Sequence, residues 1–419
     1  MPQPAYTASY FKRRMNAARA FTKEHHPIVH SILLGTILAR AGSSMSLPFL
    51  ALYLAKNTDM NPVMIGFVSG AGALAGMVGG FFGGALSDAF GRKRVMMGAL
   101  YLWGAVFIGF GLATATWMFL ALNLLNGLCR SFYEPVSQAL MADLTPREKR
   151  FRVFSLRYLC INIGVSVGPL LGALFGMMSG RLPFIITGSI YLFYAIVLYA
   201  LLRRFGIRDI EGDKKEQVSI GSAWQVIRKD TVFRWYLAGG VMGGISYSQM
   251  GVTLSQYIEL KGLNEGVNLF AVLMSINAIV VVLLQVPLSR WMEKHKPIVS
   301  IAVGSGMYVL GNLGYAAADG WILFVAAMIV FTLGEILTFP STNLLIDGLA
   351  PEGLRGTYYG AQSFNNLGHF LGPFIGGWML DAWNGTVLFT LMAAVPVFGA
   401  GFYSYGQRVF QRKKMFTNL

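Results

Sequence analysis

The chain has 419 residues, of which 55% are hydrophobic, 13% charged and 50 glycine. A soluble domain carries roughly 25% charged residues, so this composition excludes an ordinary soluble globular protein. The net charge of +15 sits in short turns and at the termini rather than along one face, which excludes a nucleic-acid surface and leaves the lipid bilayer as the expected partner.

Residues 1–27 form a basic N-terminal tail, in which Lys12, Arg13, Arg14, Arg19 and Lys23 alternate with Tyr10, Phe11 and Phe21. It reads equally as an irregular tail or as an amphipathic helix on the membrane surface. Twelve apolar segments follow, at 28–55, 62–86, 95–115, 117–142, 153–178, 182–203, 234–260, 268–289, 297–317, 320–345, 355–381 and 386–406. Runs of about twenty apolar residues are long enough to span a bilayer as helices, and helices pair every backbone group where no water is available. The expected fold is therefore an all-α polytopic membrane protein with twelve transmembrane helices. No cleavable signal peptide is expected, since the first apolar run follows a basic tail and is too long for one. Cys129 and Cys160 both lie in apolar segments, so no disulfide framework is implied.

Lys56, Arg181 and Lys261 are the only bases in one set of loops. The other set holds Arg92 to Arg94, Arg147 to Arg157, Arg203 to Arg234, Arg290 to Lys296 and Arg355, and the termini share its sign. Bases accumulate on the cytoplasmic side, so both termini are expected there, in a cell membrane. The longest connection divides the spans six and six. The expected organisation is an N-terminal bundle at 28–203, a cytoplasmic linker at 204–231, a C-terminal bundle at 232–406 and a basic tail at 407–419. Within the linker, Ile220 to Lys229 reads either as connecting chain or as a short surface helix.

The halves repeat. Asp143 closes the fourth span, and Gly164, Gly168, Pro169 and Gly172 follow in the fifth. Asp347 closes the tenth, and Gly368, Gly372, Pro373 and Gly376 follow in the eleventh, each 204 residues later than its counterpart. A matched acid and glycine-proline pattern at one offset indicates two related six-span halves, with a binding site expected near the midplane between them. The Gly-Pro segments read as helix bends or as close-packing surfaces.

Between the second and third spans runs Gly84-Ala-Leu-Ser-Asp88-Ala-Phe-Gly91-Arg92-Lys93-Arg94. This turn, the Gly164 to Ala173 segment, and Arg40 followed by Leu47-Pro48-Phe49-Leu50 resemble the major facilitator superfamily, and within it the twelve-span drug/proton antiporters. The resemblance implies two pseudo-symmetric six-helix bundles working by alternating access. It also implies that Gly84, Asp88, Gly91, Arg92 and Lys93 act as a conformational gate, with Asp88 meeting the start of the eleventh span near Arg355. Asp143 and Asp347 are expected to contact the nearby bases as part of that gate. Two positions depart from the family pattern: Ala89, where an Arg is common, and Asn123, where the fourth span usually has an Arg.

Charge within a spanning helix costs at least ~2.5 kcal/mol, so each such residue needs a partner or a task. Arg130 and Glu134 are four apart on one helix face, suited to an internal ion pair, to proton exchange at Glu134, or to both. Arg40 in the first span is expected to meet a carboxylate or carbonyl of its own half, in a structural or a coupling role. Glu335 has no base within a helical turn. Loss of hydration disfavours a lone carboxylate's charged form, so it reads either as a neutral hydrogen-bonding group or as the substrate and proton site. The resemblance favours the latter. His369 reads as a packing residue before a titrating one, and Glu259, Asp319 and Asp381 as solvated. No metal-ligand cluster, nucleophile motif or phosphate loop was recognised, so neither enzymatic activity nor a metal or cofactor is expected beyond a proton gradient.

The function these features point to is proton-coupled efflux of amphipathic, cationic or neutral small molecules by a monomer. Two alternatives stay open. One is export of an endogenous metabolite or organic anion, with Arg130 and Arg40 reading a carboxylate or phosphate; the other is a non-transporting membrane receptor or enzyme.

Overall fold

The computed structural model describes residues 26–178, 180–207, 220–262, 266–349, 358 and 361–417. The side chains at 81–89, 92, 139, 142, 147–148, 150–152, 155, 176–178, 220, 222–223, 347 and 413–417 fall outside the described set. The first six spans are α1 (Pro27–Asn57), α2 (Pro62–Phe90), α3 (Arg92–Leu112), α4 (Thr116–Asp143), α5 (Arg147–Met178) and α6 (Leu182–Arg204). A connecting helix, α7 (Ile220–Lys229), leads to α8 (Thr231–Ser248) and α9 (Thr253–Leu260). Then come α10 (Gly266–Met292), α11 (Pro297–Ala317), α12 (Trp321–Leu349), α13 (Asn366–Ala382), α14 (Gly385–Met392) and α15 (Val395–Thr417).

Local chemistry sets several starts. Proline stands in the first turn of α1, α2, α6 and α11, where its missing N–H costs nothing. Asn61 caps α2 by accepting from the Met64 N–H at 2.9 Å. Asp230 caps α8 through the N–H groups of Val232 and Phe233 and also accepts from Tyr358 Oη at 2.7 Å, which fastens the start of α8 to the segment entering the eleventh span.

Nine of the described helical segments are long and apolar enough to cross a membrane unaided. Of the other three spans, the fourth and seventh fall short for physical reasons, and the eleventh is described only in part. The fourth, α4, carries Asn123, Asn126, Arg130 and Glu134. The seventh is broken between α8 and α9, and the described part of the eleventh, α13, has 17 residues. The break follows from side chains that take over backbone roles. Gln249 Nε2 donates to the Ile245 and Gly372 carbonyls, each at 2.9 Å, and Gln249 Oε1 accepts from Thr253 Oγ1 at 2.5 Å. The twelfth span is likewise two helices, α14 and α15.

The two halves pack alike. In the first, α1 lies against α5 and α6, α2 against α4, and α3 against α4 and α6. In the second, α8 lies against α13 and α15, α10 against α12, and α11 against α12, α14 and α15. The same correspondence relates the principal contacts between the halves, α2 on α13 and α5 on α10. This is the pseudo-two-fold arrangement that the 204-residue repeat implies.

At the motif glycines helices approach closely. A Cβ at Gly168 would lie 2.5 Å from the Ala41 carbonyl, one at Gly172 2.5 Å from that of Met45, and one at Gly164 2.7 Å from Arg40 Cβ. Gly368, Gly372 and Gly376 are pressed in the same way onto Val241, Ile245 and Gln249 of the seventh span. Pro169 and Pro373 both stand inside continuous helices. Gly91, between α2 and α3, has φ 85°, a left-handed conformation that glycine adopts without strain.

Candidate functional site

Two polar clusters, one in each half, face the space between the bundles. In the first, α1 and α4 bring Arg40 and Glu134 together, the guanidinium donating to Glu134 Oε1. Arg130, one turn before Glu134 on α4, places Nε 3.3 Å from the same oxygen. Tyr133 Oη and Tyr194 Oη are hydrogen bonded at 2.7 Å behind them, and Tyr191 Oη donates to the Ala39 carbonyl at 3.2 Å.

A third guanidinium belongs to this cluster. The sequence reading placed Arg157 among the loop bases, with the fifth span opening at 153; α5 instead opens at Arg147, which carries Arg157 into the bundle. There it acts electrostatically on Glu134, and its buried Nε has no hydrogen-bond partner among the described residues. A signal was available: Arg157 precedes Gly164 by two helical turns, so both lie on the face that packs against α1.

In the second half, α12 presents Glu335. Its Oε2 accepts from Asn277 Nδ2 of α10 at 2.8 Å and its Oε1 from Tyr247 Oη of α8 at 3.3 Å. Asn277 Nδ2 also reaches Thr332 Oγ1 at 3.0 Å. Asn277 is a lone amide in an aliphatic run, a feature that the reading of the sequence passed over. The Tyr247 ring packs edge-on against Phe339 at 5.1 Å and against His369 at 5.9 Å.

The clusters see one another across the interface. Arg130, with 59% of its side chain exposed, acts electrostatically on Tyr247 and His369 of the other half. Glu335 acts in the same way on Tyr158 of α5, which donates to Gln285 Oε1 at 3.3 Å. Glu134 is thus set against three guanidinium groups, and among the described residues Glu335 accepts hydrogen bonds only from neutral donors.

Not every polar residue of the fourth span joins the site. Asn123 Nδ2 donates to the Val68 and Ser69 carbonyls at 2.7 and 2.9 Å, and its Oδ1 accepts from Asn126, whose own Oδ1 accepts from Trp103 Nε1. That network fastens α4 to α2 and α3. The gate residues are only partly visible. Among the described residues Lys93 donates to the Ile207 carbonyl just beyond the sixth span, within its own half. Asp143 ends α4 on the surface. Gly84 and Asp88 have backbone positions in the last turns of α2, but the side chain of Asp88, those of Arg92 and Asp347, and the whole of Arg355 lie outside the described residues.

At the face away from the termini the halves are closed together. Phe49 and Phe270 pack edge-on at 5.6 Å, and Gly377 sits against the Pro62 carbonyl. Lys56 pairs with Glu259 at 2.9 Å, so Glu259 is not the solvated acid its position suggested. Asp319 is exposed but receives Lys261 Nζ at 2.6 Å. The Lys56–Glu259 pair is about one-third to one-half exposed, which limits it to ~1 kcal/mol. Reversal by Glu259→Lys is therefore expected to raise the reactivity of a cysteine introduced at Leu52 about fivefold, in a background with Cys129 and Cys160 replaced by Ser. Unchanged thiol labelling would show that the pair does not hold this face shut.

These features match known proteins over most of the chain. The model of the Major Facilitator Superfamily matches residues 32–365. The Bacillus subtilis (strain 168) protein described as uncharacterized MFS-type transporter YqjV is 35% identical over 390 residues, covering 92% of this chain and 95% of that one. The Na(+), Li(+), K(+)/H(+) antiporter of Planococcus maritimus is 29% identical over 374 residues, 81% of this chain and 87% of the relative. The crystal structure of nucleoside transporter NupG superposes with a TM-score of 0.75 at 13% identity, covering 91% of this chain and 99% of that one, a likeness of fold. Twelve spans, their pseudo-two-fold packing and these matches establish that the chain belongs to the Major Facilitator Superfamily and is a membrane transporter rather than an enzyme.

Proposed function

We propose that the protein is a proton-coupled efflux antiporter of the multidrug type, moving amphipathic small molecules out of the cell by rocking its two bundles about the central site. The observation that carries this reading is Glu335, a carboxylate between the halves whose hydrogen-bond partners, Asn277 and Tyr247, are neutral. Among the described residues no fixed counter-ion pairs with it, so a proton and a substrate donor exchange for one another, which is what antiport requires. The second carboxylate, Glu134, is held by Arg40 and Arg130, which suits it to sensing charge in the cavity. The aromatic groups of Tyr247, Phe339 and Tyr158 supply an apolar lining. A proton antiporter among the relatives supports the coupling.

The distribution of basic residues supports a cell-membrane orientation with both termini cytoplasmic, in which the closed face is external. Asp88, Gly91, Arg92 and Lys93, with Asp143 and Asp347, would then hold the inner side of the halves together. The glycine-proline surfaces of α5 and α13 would let those helices shift against α1 and α8. The working unit is a monomer.

The test is efflux of an amphipathic dye from proteoliposomes under pH gradients of each sign. Glu335→Gln is expected to abolish the response to the gradient, at least tenfold, while substrate-for-substrate exchange persists. Gradient-driven efflux at the wild-type rate in that variant would remove Glu335 from the coupling.

A further inference from the structure

The charge in the central cavity does not balance. Arg40, Arg130 and Arg157 face one carboxylate, Glu134. A positive surplus remains whether or not Glu335 is ionised. Arg40 is committed to Glu134, and Arg130 spends only Nε on it. The Nη atoms of Arg130 make no hydrogen bond among the described residues, and its largely exposed side chain acts electrostatically on Tyr247 and His369 of the other half. Arg157 stands behind with an unpartnered buried Nε. The buried Nε of Arg157 without a partner of its own is costly, and the exposed fork of N–H donors on Arg130 matches a carboxylate or phosphate. The ligand therefore needs an acidic group.

A simple anion does not fit the rest of the cavity. An anion bound beside Glu335 would favour its protonated form, so proton and anion would travel together rather than in exchange. Exchange needs a ligand group that replaces the proton at Glu335, which is a cationic or strongly donating one. Around Glu335 stand the phenols of Tyr247 on α8, Tyr308 and Tyr315 on α11 and Tyr158 on α5, with the His369 ring of α13 beyond Tyr247; the cation that acts on this cluster is Arg130, the group the ligand's acid would engage. From this pairing of opposite demands we infer that the transported molecule is an amphipathic zwitterion. Its acid is read by Arg130 with Arg157 behind, its amine by Glu335, and its apolar body by the Tyr247, Phe339 and Tyr158 rings. This rests on the antiport reading.

The experiment compares binding, by titration calorimetry on the purified protein, of phenylalanine and its dipeptide in three forms: unmodified, N-acetylated and C-amidated. The unmodified forms should bind about tenfold tighter than either capped form, the effect of one charge-assisted pair. Arg130→Gln should erase the preference over the amide, with Arg130→Lys keeping part of it, and Glu335→Gln should erase the preference over the acetylated form. Equal or tighter binding of a capped form, binding of none, or preferences unmoved by these variants overturns the inference. Proton release on binding in weak buffer separates it from the reading beneath it. A zwitterion preference without release leaves the inference standing and removes antiport. Tightest binding of the acetylated anion with proton uptake removes both.

Discussion

Gly127→Ala in α4 is expected to cost about 3 kcal/mol of stability and to remove most of the folded, monodisperse protein from detergent extracts. An added Cβ would fall inside van der Waals contact of the Gly72 carbonyl and 3.0 Å from the Gly76 nitrogen. Both are backbone atoms of α2, so no rotamer change relieves the clash and the helices must separate. Overpacking alone costs ~1–3 kcal/mol. Separation also lengthens the hydrogen bonds from Asn123, one turn away, to the Val68 and Ser69 carbonyls, each worth ~1 kcal/mol. Gly98→Ala is the control, because nothing lies within 4 Å of its Cβ position. Thermal unfolding followed by size-exclusion chromatography distinguishes them; a Gly127→Ala protein that melts with the wild type would refute the close-packing account.

Removal of Glu134 is the second large effect, and its asymmetry is the informative part. Glu134→Gln leaves Arg40, Arg130 and Arg157 without a counter-charge, whereas Arg40→Gln leaves Glu134 still paired with Arg130. Breaking a buried pair by deleting one partner costs ~3–5 kcal/mol. The full cost is expected for Glu134→Gln and a smaller one, about 1–2 kcal/mol, for Arg40→Gln. Adding Arg157→Leu to Glu134→Gln should recover part of the loss, a coupling that a double-mutant cycle on the melting curves reads directly. Equal losses in the two single variants would mean that Arg157 does not share the charge of Glu134.

How far each residue was legible follows from the kind of information it depends on. Arg130 and Glu134 are four apart on a helix, so their pairing is a matter of spacing. Arg40 in the first span was expected to find an acid in its own half, and Glu134 is that acid. The same reading misplaced Arg157, because a cationic helix end resembles a loop until the packing of α5 on α1 shows which turns are enclosed. It missed the break in the seventh span, since hydropathy does not register a glutamine that bonds to its own backbone and to Gly372. It also took Glu259 as solvated, because an acid at a helix end looks free until the other half supplies Lys56.

By itself the sequence determined the membrane character of the chain, the number and order of the spans, and the twofold repeat, since all three follow from hydrophobicity and spacing along one dimension. Only the tertiary structure decided that Arg40 joins Arg130 on one carboxylate within the electrostatic reach of Arg157, that Glu335 rests on Asn277 and Tyr247, and that the halves close through Lys56 and Glu259. Each of these joins residues on different helices. Packing determines which faces meet, chiefly where glycine lets two backbones touch, and in a bilayer only that meeting gives an isolated charge its partner.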